Sequence, residues 1–248
     1  MGVYHIAVLE CDTPVDTVVT SRGTYGDIFK ELLTMGLEGG GPAAGDIQLR
    51  VSKWDVVGSS SFPDLREVDA ILLSGSKHTA FEDDAWIVRL VDRVKDILTT
   101  HQKPLVGICF GHQIIGRAMG AAVGVSHGGW EVSVNTIDLN SHGRQLLGTS
   151  SLSLHQMHKD AVLEVPKGLV NLGSSPSCPI QGLYKKGSIL SFQAHPEFDE
   201  FTMRQIIQTR HVQNVFDDAM FNDGMAKVGR PHGGDLVASA IWQFLLDG

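Results

Sequence analysis

An α/β fold, with a mostly parallel sheet between two layers of helices, is predicted by three features of this 248-residue sequence. Strand-like apolar runs alternate with stretches of helical periodicity over the first half of the chain. Some of those runs, such as "DAILLSG" (69–75), are apolar without interruption, as expected of strands covered on both faces. The composition, 42% apolar and 19% charged, is that of a globular chain with a sizeable core.

The elements follow in order. "YHIAVLE" (4–10) reads as the first strand, 24–35 as the first helix, and "EGGGPAAGD" (38–46) as a glycine-rich loop without a phosphate-loop lysine. "IQLRVSK" (47–53) alternates like a second strand, and 69–75 is the third. Residues 84–99 place Trp86, Ile87, Leu90, Val91, Val94, Ile97 and Leu98 on one helical stripe. "PLVGI" then leads as a strand into a helix from His112. From about 125 to 190 the pattern changes to short alternating runs at 130–139, 151–155, 169–175 and 179–185, which reads as a β-rich antiparallel insert. "SILSFQAH" (188–195) returns to a buried strand. A helix over 199–221, a loop at 225–234 and a helix over 236–246 capped by Asp235 complete the reading, with 217–248 forming a helical extension. This order predicts one domain over 1–248, built on a three-layer flavodoxin-like or Rossmann-like sheet.

Charge and composition exclude several function classes. A net charge of −8 offers no general attraction to nucleic acid or to an anionic membrane. No apolar run reaches the roughly 18 residues that span a bilayer. "MGVYHIAVLE" lacks the basic start of a signal peptide, and Ile6 stands where a myristoylation pattern wants Ser or Thr. Three widely spaced cysteines fit a reducing, cytoplasmic setting without disulfides. With no CxxC and no HExxH, neither a metal site nor a cofactor is expected.

"VGICFGHQIIG" (106–116) carries the chemistry. Cys109 stands where a buried strand meets a helix, flanked two residues away by Gly107 and Gly111. A nucleophile on such a turn needs small neighbours, because strand and helix pass very close. The helix N-terminus favours thiolate, and the Phe110 N–H is free to face an oxyanion. A buried cysteine between two packing glycines would look the same, so the reading depends on partners. "AHPEF" supplies them: His195 and Glu197, two apart at the end of a strand, provide a base and a group to orient it. Cys109, Gly75 and His195 each end a predicted strand, so three distant segments meet at one rim of the sheet.

Together, "GICFGHQ", "HPE" and the "SGS" after the third strand resemble the landmarks of class I glutamine amidotransferases, in the family's order, over residues 6–216. "SGSKHTAFEDDAWI" and "GICFGHQIIGRAMG" resemble stand-alone γ-glutamyl peptidase-like members more than domains fused to GMP synthetase or carbamoyl-phosphate synthetase. The resemblance implies a Cys109–His195–Glu197 triad and an oxyanion hole from the backbone of Gly75 or Ser76 with Phe110. It implies that Gln113 contacts a γ-glutamyl substrate and that Trp130 and Glu131 line its pocket. In "LHQMHKDAV" (154–162) either His155 or His158 faces the pocket, with His158 the first choice. The implied activity is hydrolysis of a small γ-glutamyl amide through a glutamyl thioester. The alternatives are a glutaminase subunit that feeds ammonia to a separate synthetase, and a non-catalytic binding or regulatory protein on the same fold. Elsewhere, the acids Glu82, Asp83 and Asp84 are expected to cap the following helix. His112, Cys11 and Cys178 are expected to be structural.

Overall fold

The structure is a computed structural model that describes residues 2–39, 47–59 and 61–247. The predicted loop at 38–46 therefore lies almost entirely outside the described residues. The chain runs β1 (Gly2–Glu10), α1 (Asp16–Arg22), α2 (Tyr25–Glu38), β2 (Ile47–Asp55), β3 (Ala70–Leu73), α3 (Ala85–Asp96), β4 (Leu105–Ile108) and α4 (Phe110–Ala118). Then follow β5 (Val123–Val125), β6 (Glu131–Leu139), α5 (Ser141–Leu147), β7 (Ser151–His158), β8 (Asp160–Val162), β9 (Val170–Asn171) and β10 (Gly173–Ser174). The last elements are β11 (Gly182–Lys185), β12 (Ile189–Phe192), α6 (Glu200–Val212), α7 (Asp218–Lys227) and α8 (Gly234–Leu246).

A seven-stranded sheet in the order β2-β1-β3-β4-β12-β11-β9 forms the centre. The pairings from β2 through β12 are parallel, and β11 and β9 add an antiparallel edge. Side-chain alternation along the strands divides the core in two. Ile6, Val8, Leu72, Val106, Ile108 and Phe192 face α2 and α8, while Ala7, Leu9, Ile71, Leu73, Leu105 and Ile189 face α3 and α4. Each such large apolar side chain contributes about 1.5–3 kcal/mol through burial. Gly36 lets α2 and α8 touch: a Cβ there would lie 2.6 Å from the Ala238 carbonyl oxygen.

The β-rich stretch is antiparallel as expected, but it does not stand apart from the main sheet. β6, β7 and β10 make a three-stranded sheet and β5 pairs with β8, while β9 and β11 extend the central sheet. Four further expectations change. α1 and α5 were not visible as elements in the sequence; both are only seven residues long. The helix expected over 199–221 is two helices, because Asn214 turns into the left-handed region at φ 56° and Asp217 caps α7 by accepting from the Met220 N–H. α7 consequently occupies the start of the expected loop at 225–234. α8 is capped at Gly233 rather than Asp235, because Gly234, packed against the Pro196 carbonyl, already belongs to the helix. Among the described residues, no helix is long and apolar enough to cross a membrane.

The register sets the rim. Leu73 pairs with Gly107, and Ile108 with Phe192, so β3, β4 and β12 end side by side. At the β4–α4 junction, a Cβ on Gly111 would lie 2.5 Å from the Leu73 carbonyl oxygen, and one on Gly107 would lie 2.8 Å from Gly111 backbone. Neither contact can relax without moving backbone. Gly111→Val is expected to destabilise the fold by at least about 1–3 kcal/mol, the usual range for overpacking, as measured by urea unfolding. Wild-type stability in that variant would mean that the close approach is not required.

Candidate active site

Three strand ends converge on Cys109. Its backbone takes φ 51° and ψ −102°, a left-handed conformation that non-glycine residues rarely adopt. Two bonds hold the turn: the Cys109 N–H donates to the Phe192 carbonyl at 2.9 Å, and the Gly111 N–H to the Ser74 carbonyl at 3.2 Å. Phe110 opens α4, where a first-turn N–H has no acceptor within the helix. Its ring stacks on Trp86, with centroids 5.5 Å apart.

His195 and Glu197 follow β12. The His195 Nδ1 lies 2.8 Å from the Glu197 Oε1, and both side chains are buried. The His195 N–H donates to the His155 carbonyl at 2.8 Å, which ties the segment to β7. The Phe198 ring lies flat on the imidazole, 4° from parallel with centroids 4.1 Å apart. Burial works against protonation of His195, but the charges of Glu197 and Cys109 outweigh it and hold the ring's pKa well above its ordinary value. Gly75 closes the group: a Cβ there would lie 2.8 Å from the His195 Cε1 and 3.7 Å from the Cys109 Cβ. A cysteine, a charged imidazole, its orienting carboxylate and a bare backbone segment thus share one point. Such an arrangement suits nucleophilic attack on a carbonyl followed by proton transfer to the leaving group.

The other expected residues divide. Ser76 and His195 line a cleft of about 560 Å³, together with Tyr25, Met157, Phe198 and Arg210. Gln113 is packed beneath the elbow, donating to the Asp160 carbonyl at 2.8 Å and to the Gln193 Oε1 at 3.1 Å. Gln193 in turn donates to the Cys109 Sγ at 3.5 Å. Trp130 packs edge-on against Phe216. His158 does not line that cleft: its Nε2 faces the Glu131 Oε2 at 3.1 Å and its Nδ1 faces the Asp160 carbonyl at 3.1 Å. Alternate residues of a strand point to opposite faces, so Met157 takes the cleft and His158 turns inward. His155 is also buried, its ring against that of His232.

Glu131, His158 and Cys178 are the metal-capable donors that the described residues bring together, with ligand atoms within 4.8 Å of one another. Hydrogen bonds already engage all three. Glu131 also accepts from Gln181 at 2.8 Å, and the Cys178 thiol faces the Ile180 carbonyl at 3.4 Å. Burial pushes the Cys178 pKa up to about 12, so the thiol keeps its proton. The acids before α3 also differ from expectation. Asp84 occupies the cap position without a side-chain cap bond, while Asp83 pairs with Arg117 at 2.6 Å. His112 is fully buried against Ser191, and burial drives its pKa down to about 3.

Sequence reasoning missed Tyr25, Met157 and Gln193 and assigned Arg210 no role. Gln193 had a usable signal, since it lies two residues before His195 in one extended run. Tyr25 and Arg210 are helical residues whose approach to the cleft depends on how α2 and α6 pack.

Cys11, like Cys178, is fully buried and its pKa is pushed up to about 12 by burial. Iodoacetamide is therefore expected to label Cys109 at least about tenfold faster than either. Peptide mass spectrometry over a time course reads this directly, and equal labelling of all three would refute a reactive elbow.

The family model of class-I glutamine amidotransferases matches residues 43–213. The chain is 33% identical over 256 residues to a glutamine amidotransferase-like protein of Schizosaccharomyces pombe, covering 98% of this chain and 99% of the other. It is 32% identical over 199 residues to gamma-glutamyl peptidase 3 of Arabidopsis thaliana, covering 75% of each chain. In three dimensions it matches the crystal structure of a glutamine amido transferase from Methylobacillus flagellatus with a TM-score of 0.71 at 19% identity, over 99% of this chain and 96% of that one.

Proposed function

The chain belongs to the class I glutamine amidotransferase family, and from that premise we propose that it is a cysteine hydrolase of γ-glutamyl peptides. The observation that carries this reading is the convergence of Cys109, on its left-handed turn, with the buried His195–Glu197 pair at the neighbouring strand end. The Cys109 thiolate attacks the γ-carbonyl carbon, and the oxygen takes up negative charge. Backbone N–H groups of Phe110 and of Gly75 or Ser76 receive that oxyanion. Glu197 holds the His195 Nδ1, leaving Nε2 to give its proton to the departing amine as the C–N bond breaks. Water then attacks the glutamyl thioester with His195 as base, releasing glutamate and restoring the thiol.

Similarity to gamma-glutamyl peptidase 3 supports an amine leaving group that is a peptide rather than ammonia. So does the cleft on the His195 side, whose volume of about 560 Å³ exceeds what ammonia needs. The isolated protein is expected to release glutamate from glutathione or a γ-glutamyl dipeptide with a higher kcat/KM than from glutamine, measured by enzyme-coupled glutamate assay. Contacts to the leaving group, expressed as transition-state binding, provide the preference. Better turnover of glutamine, or turnover only after a second protein is added, would replace this reading with that of an ammonia-donating subunit.

The triad has its own test. His195→Ala is expected to lose activity about as fully as Cys109→Ser, because the two act as a unit. Glu197→Gln removes the charge that raises the His195 pKa, so the ring loses its proton at lower pH. The alkaline limb of the kcat/KM profile is then expected to move to lower pH, with a reduced plateau. An unmoved limb and an unchanged plateau would remove Glu197 from the catalytic group.

A further inference from the structure

We infer that Arg210, seated on Trp130, forms a carboxylate-binding subsite for the peptide that leaves on the amine side of the scissile bond. This inference deepens the hydrolase reading above and rests on it. Arg210 lines the same cleft as His195 and Ser76. His195, which protonates the leaving amine in the reading above, lines this cleft, so a leaving peptide would extend along it. Tyr25 belongs to the same cleft wall as His195 and Arg210.

Charge pairing separates Arg210 from its neighbours. Lys77 in the same cleft is held by Asp12 at 2.7 Å. Arg22, where α1 meets α6, pairs with Glu31 and Asp199, and Arg204 on α6 pairs with Glu200. Among the described residues Arg210 pairs with no carboxylate. Its guanidinium instead lies 5.8 Å from the centroid of the Trp130 ring. A second cation without a carboxylate partner among the described residues, Lys159, lies 5.9 Å from the same centroid. Trp130 is itself braced edge-on by Phe216, with centroids 5.1 Å apart.

Without an ion pair, the Arg210 guanidinium is open to an anion in the cleft that it lines. The acids of the cleft do not supply it. Asp12 is neutralised by Lys77, and Asp16 is exposed at the start of α1, where water and salt screen its charge. A guanidinium without a carboxylate partner offers its fork of N–H donors in the geometry that suits a carboxylate. The ligand class that follows is a γ-glutamyl di- or tripeptide ending in a free carboxylate.

Binding measured without turnover tests this separately from the hydrolase reading. In a Cys109→Ser background, calorimetry compares γ-glutamyl-cysteinyl-glycine with its C-terminal amide. The acid is expected to bind about 10–100-fold more tightly, the range for a charge-assisted pair. Adding Arg210→Ala should bring the two affinities together, and Arg210→Lys should restore part of the difference. Melting curves verify folding, with Arg210→Gln as a second neutral variant if Arg210→Ala is unstable. Equal affinity for acid and amide, or a difference that survives Arg210→Ala and Arg210→Gln, would overturn the inference. So would an equal loss of affinity for glutamine, which has no leaving-side carboxylate; Arg210 would then hold the γ-glutamyl half. The hydrolase reading fails on a different signal, the absence of glutamate release by the wild-type protein.

Discussion

The close approach of β4 to α4 is the constraint on which the site depends. It requires three residues at once. Gly107 and Gly111 must lack side chains, because Gly111 backbone fills the space beside Gly107 and the Leu73 carbonyl fills the space beside Gly111. Cys109 must accept a left-handed backbone between them. A non-glycine residue held there costs on the order of 1–3 kcal/mol. Two parallel neighbours offset that cost: the Phe192 carbonyl of β12 accepts the Cys109 N–H, and the Ser74 carbonyl beyond β3 accepts the Gly111 N–H. The strain at the sulfur and the order of the central strands are therefore one arrangement. Removing either flanking strand would release the turn.

A second seam holds the base. His195 leaves the central sheet and bonds through its backbone to His155 of the three-stranded sheet. The imidazole is then clamped between Glu197 on its edge and Phe198 on its face. From behind, α8 begins against the Pro196 carbonyl, which only a glycine at 234 permits. The antiparallel stretch that looks like an insert in the sequence thus helps to hold His195 in place. The same sheet carries a buried Glu131–His158 pair, bonded onward to Gln181 and Gln156.

Electrostatics separates the three thiols. Cys11 and Cys178 each face a backbone carbonyl, and burial keeps both protonated. Cys109 is nearly as buried, yet it stands at a helix N-terminus beside an imidazole whose protonated form is favoured. Exposure alone would not distinguish them. Place does: of the three, Cys109 is the one at the N-terminus of α4.

Local sequence was enough for the alternation of strands and helices, the elbow around Cys109 and the pairing of His195 with Glu197. Each is written in neighbouring residues: a period of two or 3.6, glycines two positions from a cysteine, and a base and acid two positions apart on extended chain. It did not disclose α1 and α5, which are too short to show a periodic stripe, nor the break at Asn214, where a positive φ interrupts an otherwise helical pattern. It also left His155 and His158 as alternatives for the pocket. That choice rests on the register of β7 against β6, which pairs His158 with Glu131 and leaves Met157 for the cleft. The cleft wall was further from reach. Tyr25, Ser76, Met157 and Arg210 come from four distant segments, and nothing in their spacing links them. The sequence by itself singled out Cys109, His195 and Glu197, because each stands in a short motif of neighbouring residues. Only the tertiary structure decided what surrounds them, because a cleft forms where packed elements meet, and that packing depends on contacts between residues far apart in the chain.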